Sequence, residues 1–401
     1  MTFENEKQKC GAAEKRGQAI LPFAPNRVLR LYLGGSGIDR LCGIKPAEDS
    51  RYPENWIASC IEGNGRAYHS PGHGISKIRL GDTLVSFPEY LAAHAVELLG
   101  EKHVRRYGAN PAVLVKLLDS AEQLPMQVHP TKADARKYLN SSYGKTEAWL
   151  VLSTREVNGE TPYLLVGFNG QLDPEIFTKE CLAGKFERGL DMLNKIAVKP
   201  GDTIIIRGGV PHAIGPGVTM VEIMEPSDWV VIPEIECCGV SLNEKQRFMG
   251  IAPETAVGMF DFTPQTPDEI RARFSPVPKI IRETANGTLL TLIAPEDCEL
   301  FSAYELRVDG TWELDNPDSF GIGIVTEGML DFDGIRLRAG ENFFLPYELK
   351  KLPILGKGKM ILIRPPARRL TGAMCEPTST GGIMDFRFLL LDHGCPSSQF
   401  D

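Results

Sequence analysis

Apolar residues in this chain gather in short runs broken by Gly, Pro, Asn and Asp, a rhythm that predicts strands and turns more often than long helices. The runs Ala112–Leu118, Trp149–Leu152, Tyr163–Phe168, Thr203–Ile206 and Gly217–Ile223 each predict a strand. Helical spacing occurs in two places. From Phe87 to Leu99 the side chains Tyr90, Leu91, His94, Leu98 and Leu99 share one side. Asp173 offers an N-cap with Pro174 at the first helical position, and Ile176, Phe177, Cys181, Leu182 and Phe186 continue the spacing, with Gly184 as an interruption. Strands punctuated by turns such as Pro200-Gly201-Asp202 predict a small antiparallel barrel or jelly roll.

The pattern then changes. Residues 241–287 read as a helical connector, and a second β-rich block follows over 288–366 that contains no His. Residues 1–19 are polar and read as a flexible N-terminus, and 367–401 read as a tail in which Phe386–Leu391 is a candidate extra strand. At 401 residues the chain is long enough for more than one core.

Charge and cysteine usage narrow the partners. With 44 Lys+Arg against 52 Asp+Glu the formal charge is −8, and no basic block stands out, so neither nucleic acid nor an anionic membrane is an expected partner. The nine Cys form no C-x-x-C pair, which predicts reduced thiols and a cytoplasmic protein. Met1–Gly17 lacks the apolar stretch of a signal peptide, and no apolar run reaches the ~18 residues of a membrane span.

Candidate chemistry sits in three segments: Gln127-Val128-His129-Pro130, Gly144-Lys145-Thr146-Glu147-Ala148-Trp149, and Pro211-His212-Ala213-Ile214-Gly215. Alternation along a strand puts Gln127 and His129 on one face, and likewise Lys145, Glu147 and Trp149. His212 lies in a Gly/Pro turn after Thr203–Ile206. Two imidazoles, a carboxylate and an amide form a ligand set for one divalent cation with positions left open. The same His/Glu/His trio suits Zn²⁺ or the Fe(II) of a non-haem oxygenase.

These motifs resemble the class I mannose-6-phosphate isomerase family of the cupin superfamily. The resemblance rests on Val113–Asp119, Gln127–Pro130, Gly144–Trp149, Pro200–Asp202, His212–Gly215, Glu222-Ile223 and Ser227-Asp228, and covers roughly 110–228. It implies a mainly β protein with some α, made of two cupin-type jelly-roll β-barrels with helical insertions. The metal-binding catalytic cupin would span 20–240, and 288–366 would be a metal-free cupin-like domain. Gln127, His129, Glu147 and His212 would hold one Zn²⁺, and a sugar phosphate, mannose 6-phosphate or fructose 6-phosphate, would be the substrate, in a monomer or dimer. Where the family carries an Arg shortly after Ser227-Asp228, this chain has Ile232. That departure leaves a second expectation, a non-catalytic or altered-specificity sugar-phosphate-binding cupin.

Isomerisation moves a proton between C1 and C2 while charge builds on oxygen, so a base and local cations are needed. Lys145, on the face of Glu147, is the candidate proton carrier, and a salt bridge is its plainer role. Lys116 is a candidate for the phosphate or a sugar oxygen, with an ion-paired strand lysine as its counterpart reading. Arg207 or Arg247 would supply a cation in place of the arginine missing at Ile232. Trp149 reads as pocket floor or core, and Gly34–Gly37 reads as a turn rather than a nucleotide loop.

Overall fold

The computed structural model describes residues 19–63, 70–186 and 189–366, so the expected N-terminal segment and the 367–401 tail lie almost wholly outside the described residues. The protein is mainly β. A six-stranded antiparallel sheet has the spatial order 203–206, 147–154, 218–224, 114–119, 54–57, 27–28. A three-stranded sheet contains 212–214, 163–168 and 193–197. An eight-stranded sheet gathers 279–284, 287–293, 302–315, 321–332, 335–338, 342–345 and 351–364, and strand Leu21–Pro22 closes one edge by pairing with Phe343-Phe344.

The expected strands are present, and their boundaries follow the apolar runs closely, with Tyr163–Phe168 and Thr203–Ile206 matching end to end. Strand alternation explains the layering. In 147–154 the even side chains Ala148 and Leu150 pack with Val115, Leu117, Val221 and Ile223 and with Ile322, Ile324, Ile361 and Ile363 of the eight-stranded sheet. The odd side chains Trp149 and Val151 pack with Leu118, Ile204, Ile206 and Met220 and with Leu164, Val166, Ile196 and Ile214 of the small sheet. The six-stranded sheet is therefore buried on both faces, which is why its strands read as continuous apolar runs. Its inner face, toward the small sheet, is a cupin-like interior.

Two helical expectations are refined. The 87–99 helix is two helices, Phe87–Ala93 and Ala95–Leu99, because His94 leaves helical geometry (φ −128°, ψ 29°) and its Nδ1 takes the Glu97 carboxylate at 2.9 Å. The helix after Asp173 runs Pro174–Ala183, with the Asp173 side chain accepting from the amides of Glu175 and Ile176. Gly184 ends it, adopting a left-handed φ of 68° as the C-cap. The 241–287 connector holds three helices, Glu244–Arg247, Pro253–Val257 and Pro267–Phe274, before the strand Lys279–Thr284 begins.

Gly34–Gly37 is a structural turn, as expected. The amides of Gly35 and Gly37 donate to Asp119 Oδ2 at 2.6 and 3.1 Å, and a Cβ at Gly34 would run into the Asp119 carbonyl. A buried carboxylate already takes the place an incoming phosphate would need.

Candidate metal centre

Two strand ends and one loop converge on the inner face. His129 and His212 lie next to each other because Gln127 and His212 form an antiparallel bridge, with amide-to-carbonyl distances of 2.8 and 2.9 Å in the two directions. Directly opposed residues of an antiparallel pair share a face, so Gln127 and His212 project to the same side. Glu147 begins the next segment of the ladder, opposite Ile206.

The ligand atoms meet. The available nitrogens and oxygens of His129, Glu147 and His212 all lie within 4.8 Å of one another, and all three residues are buried. His129 Nε2 is 3.1 Å from Glu147 Oε2, and His212 Nε2 is 3.5 Å from Glu147 Oε1. Two ligands about 2.0–2.1 Å from a shared tetrahedral ion stand about 3.3 Å apart, so the spacing fits one zinc-sized cation.

Orientation is fixed from behind. Nδ1 of His129 donates to the Trp229 carbonyl at 2.9 Å, and Nδ1 of His212 donates to the Val210 carbonyl at 2.9 Å. A carbonyl only accepts, so both rings carry their proton on Nδ1 and turn a bare Nε2 inward. His212 Nε2 has no hydrogen-bond partner among the described residues, an orphaned buried acceptor that a cation would satisfy. A stand-in cation is also present: the Lys145 ammonium lies 2.9 Å from His129 Nε2 and 3.0 Å from Glu147 Oε2.

Electrostatics keep the set in its ligand form. Burial, then Lys145, pushes His129 down to about 3, and burial lowers His212 as well, so both imidazoles are neutral near pH 7. Burial alone would raise Glu147, but Lys145 and His129 overcome it and hold the carboxyl well below its usual range. Neutral imidazoles and an ionised carboxylate are what a divalent ion requires.

Beyond the trio, buried charges continue in one line. Sheet register sets Trp56 opposite Lys116, Lys116 opposite Glu222, and Glu222 opposite Trp149, all on the inner face. Lys116 Nζ sits 3.3 Å from Glu222 and 3.6 Å from Glu54, over the Trp56 ring. Lys145 Nζ is 3.9 Å from Glu222 Oε1. Glu54 accepts from Tyr32 Oη and Trp56 Nε1, each at 2.6 Å. Arg30 bridges Glu54, at 3.1 Å from Nε, and Asp228, at 3.3 and 3.4 Å from its two terminal nitrogens. Burial pushes Glu222 up to about 7, although Lys116 opposes the shift.

The candidate residues therefore divide. His129, Glu147, His212 and Lys145 come together, Lys116 reaches them through Glu222, and the backbone bridge sets Gln127 opposite His212. Lys116 has the ion-pair partners anticipated for a strand lysine, and Trp149 is core that also stacks edge-on against His212. Arg207 is exposed and donates to the Asp297 carbonyl at 2.9 Å, outside this buried group, because the chain turns outward after Ile206. Arg247 is buried and spent on backbone carbonyls of Cys181, at 2.7 Å, and Pro233. Ile232 lies in an apolar cluster with Val230, Cys237 and Leu242, against Leu31. Sequence reasoning missed Arg30, Tyr32, Glu54 and Trp56 and gave Glu222 and Asp228 no role. The one local signal was Glu54-Asn55-Trp56-Ile57, whose alternation points Glu54 and Trp56 inward.

Glu234, next to this region, carries its own pH signature. Its Oε1 accepts from the Met126 amide at 2.7 Å, and burial pushes the carboxyl up from 4.5 to about 7, with Arg247 opposing. The thiols of Cys181 and Cys237 and the carboxylate of Glu244 are the other titratable groups near Arg247. The folded state thus keeps a proton that the unfolded chain releases. This contribution is fully present below pH 4.5 and is lost as pH rises to about 7. Glu234→Gln is expected to gain about 2–3 kcal/mol relative to wild type between pH 5 and pH 8. Paired thermal melts at the two pH values check it; a gap that does not widen with pH refutes it.

A mainly β, cupin-like protein with a buried His/Glu/His centre is the class that this fold and site define. No protein-family model matches the chain. It is 23% identical over 320 residues to the Bacillus subtilis protein named Probable mannose-6-phosphate isomerase GmuF, covering 77% of this chain and 91% of that one. Over a shorter stretch of 118 residues it is 34% identical to mannose-6-phosphate isomerase ManA of the same organism, covering 29% of this chain and 34% of the relative. The crystal structure of mannose 6-phosphate isomerase from Bacillus subtilis superposes with a TM-score of 0.65 at 21% identity, covering 86% of this chain and 99% of that one. A mannose 6-phosphate isomerase bound with zinc and yttrium gives a TM-score of 0.64 at 17% identity, covering 87% and 100%. The chain is thus similar in sequence to proteins named mannose-6-phosphate isomerase and shares the fold of the solved ones.

Proposed function

We propose that the protein is a zinc-dependent aldose–ketose isomerase that interconverts mannose 6-phosphate and fructose 6-phosphate. The observation that carries this reading is the convergence of His129, Glu147 and His212 within 4.8 Å, with Lys145 Nζ 2.9–3.0 Å from two of them. Gln127, sharing the face of His212, completes the ligand set. The zinc bound in a structural relative and the neutral His pair support zinc as the ion. In this reading 20–240 is the catalytic cupin and the His-free 288–366 block is a metal-free one. Free thiols at all six described cysteines fit a reducing, cytoplasmic setting. Among the described residues no helix is long and apolar enough to cross a membrane.

The bound ion supplies Lewis-acid stabilisation of the charge that develops on the substrate oxygen. The chain supplies the rest. Lys145 presents its Nζ beside the ligand atoms, where it carries the proton between C1 and C2. Glu222, with a carboxyl near 7, exchanges protons at neutral pH within reach of Lys145 and Lys116. Trp56 and Trp149 wall the two sides of this row and exclude water. Zinc-loaded protein given mannose 6-phosphate is expected to produce fructose 6-phosphate, read by a coupled assay. A fully metal-loaded, folded preparation that yields none overturns the reading.

A further inference from the structure

Resting on the isomerase reading, we propose that Arg30 is the residue that receives the phosphate of the substrate and sets the preference for phosphorylated over free sugar. Burial along the row of charges is graded. The side chains of Glu147, Lys116 and Lys145 are 3%, 2% and 5% exposed, whereas Arg30 is 17% exposed. Arg30 is thus the outermost cation of a contact chain that runs inward through Glu54, Lys116, Glu222 and Lys145 to the metal ligands.

Its donors are partly committed. A guanidinium has five N–H groups. One on Nε serves Glu54, and one on each terminal nitrogen serves Asp228. The remaining two have no partner among the described residues. These fixed carboxylates, with the Trp56 ring 5.8 Å from the guanidinium carbon, hold the planar group in one orientation. A preoriented guanidinium with two spare N–H groups at the outer end of a buried site matches a phosphate's oxygens. The inner cations are differently placed. Lys116 lies between two carboxylates, and Lys145 lies against His129 and Glu147. Leu31, next in sequence, packs against the cluster of Ile232, so this chain brings its outer cation in from the segment after strand Arg27–Val28.

The test uses full-length, zinc-loaded protein as wild type, Arg30→Met and Arg30→Lys. Inorganic phosphate is the probe, measured by calorimetry and as a competitive inhibitor, alongside KM and kcat for mannose 6-phosphate. Arg30→Met is expected to weaken phosphate binding and raise KM by about 100-fold, with kcat within a few fold and zinc content unchanged. Arg30→Lys, which keeps the charge and loses the fork, is expected to weaken both by about 10-fold. A merely structural role would lower kcat or melting temperature and leave phosphate affinity intact, and that result overturns the proposal. If Arg30→Met does not fold, unchanged phosphate affinity in Arg30→Lys overturns it equally. Wild type that binds phosphate through Arg30 but isomerises nothing refutes the isomerase reading alone; active wild type indifferent to Arg30 refutes this proposal alone.

Discussion

Replacing His129 by Ala is expected to reduce bound zinc from about one per chain to below about a tenth, and to lower kcat/KM at least ~1,000-fold. The size follows from how the site is built. Disturbing a residue behind a metal ligand commonly costs 10–100-fold in affinity or activity, and removing a ligand costs more. His129 also has no substitute nearby. Among the described residues the one cluster of three or more His, Cys, Asp or Glu side chains able to hold an ion is His129, Glu147 and His212. Losing one imidazole leaves one His, one carboxylate and the weakly ligating amide of Gln127. The fold is expected to survive the substitution, because the imidazole removed is uncharged at neutral pH and the Lys145–Glu147 pair at 3.0 Å stays intact. Metal analysis by mass spectrometry, paired with steady-state kinetics, decides. Full zinc content in a folded His129→Ala protein would remove the proposed centre altogether. Chelation of the wild type should reproduce the loss of rate, and added zinc should restore it only where His129 is present.

The convergence of His129, Glu147 and His212 was legible in the sequence because these residues sit at strand ends whose runs are dense and whose parity is fixed. Gln127/His129 and Lys145/Glu147 are each two apart, so alternation alone puts each pair on one face. The rest of the site was hidden for a physical reason. Arg30, Tyr32, Glu54 and Trp56 come from a region whose strands are only two and four residues long, Arg27–Val28 and Glu54–Ile57. Runs that short carry little periodicity, and the alternation of Glu54 and Trp56 is its one trace. Their place beside Lys116 is set by a register some sixty residues distant in sequence, Trp56 opposite Lys116. Arg207 shows the converse error. Its charge favoured it as a replacement for the arginine missing at Ile232, but the strand ends at Ile206 and the next side chain points to solvent. The helix over 87–99 had the correct apolar spacing, and the break at His94 was a matter of one residue's backbone angles that apolar spacing does not report. Likewise the second β block was recognisable from its strand rhythm, whereas the entry of Leu21–Pro22 into its sheet was not, since a two-residue strand is defined by its partner.

Lys145→Met is expected to lower kcat by about 100- to 10,000-fold while zinc stays bound, the range associated with loss of a positioned acid–base group. Two lysines lie in the buried row, and their surroundings assign different work to them. Lys116 Nζ is flanked by Glu54 and Glu222 and lies over Trp56, 4.9 Å from the ring centroid, so it is held on both sides. Lys145 Nζ instead reaches the ligand atoms themselves, 2.9 Å from His129 Nε2 and 3.0 Å from Glu147 Oε2, with Glu222 Oε1 3.9 Å away. Glu222 stands near 7 because burial disfavours its charge, so it can take up or release a proton close to neutrality. A proton passing between substrate carbon and Lys145 therefore has a second acceptor beside it. If the two act as a relay, their substitutions will not add: Lys145→Met with Glu222→Gln should cost about as much as the more damaging single change, whereas independent roles would multiply the losses. Steady-state kinetics on the two single variants and the double variant, each checked for zinc content, measures this. A Lys145→Met enzyme within about threefold of wild type in kcat would show that the proton is carried elsewhere, leaving Lys145 as a counter-ion to Glu147.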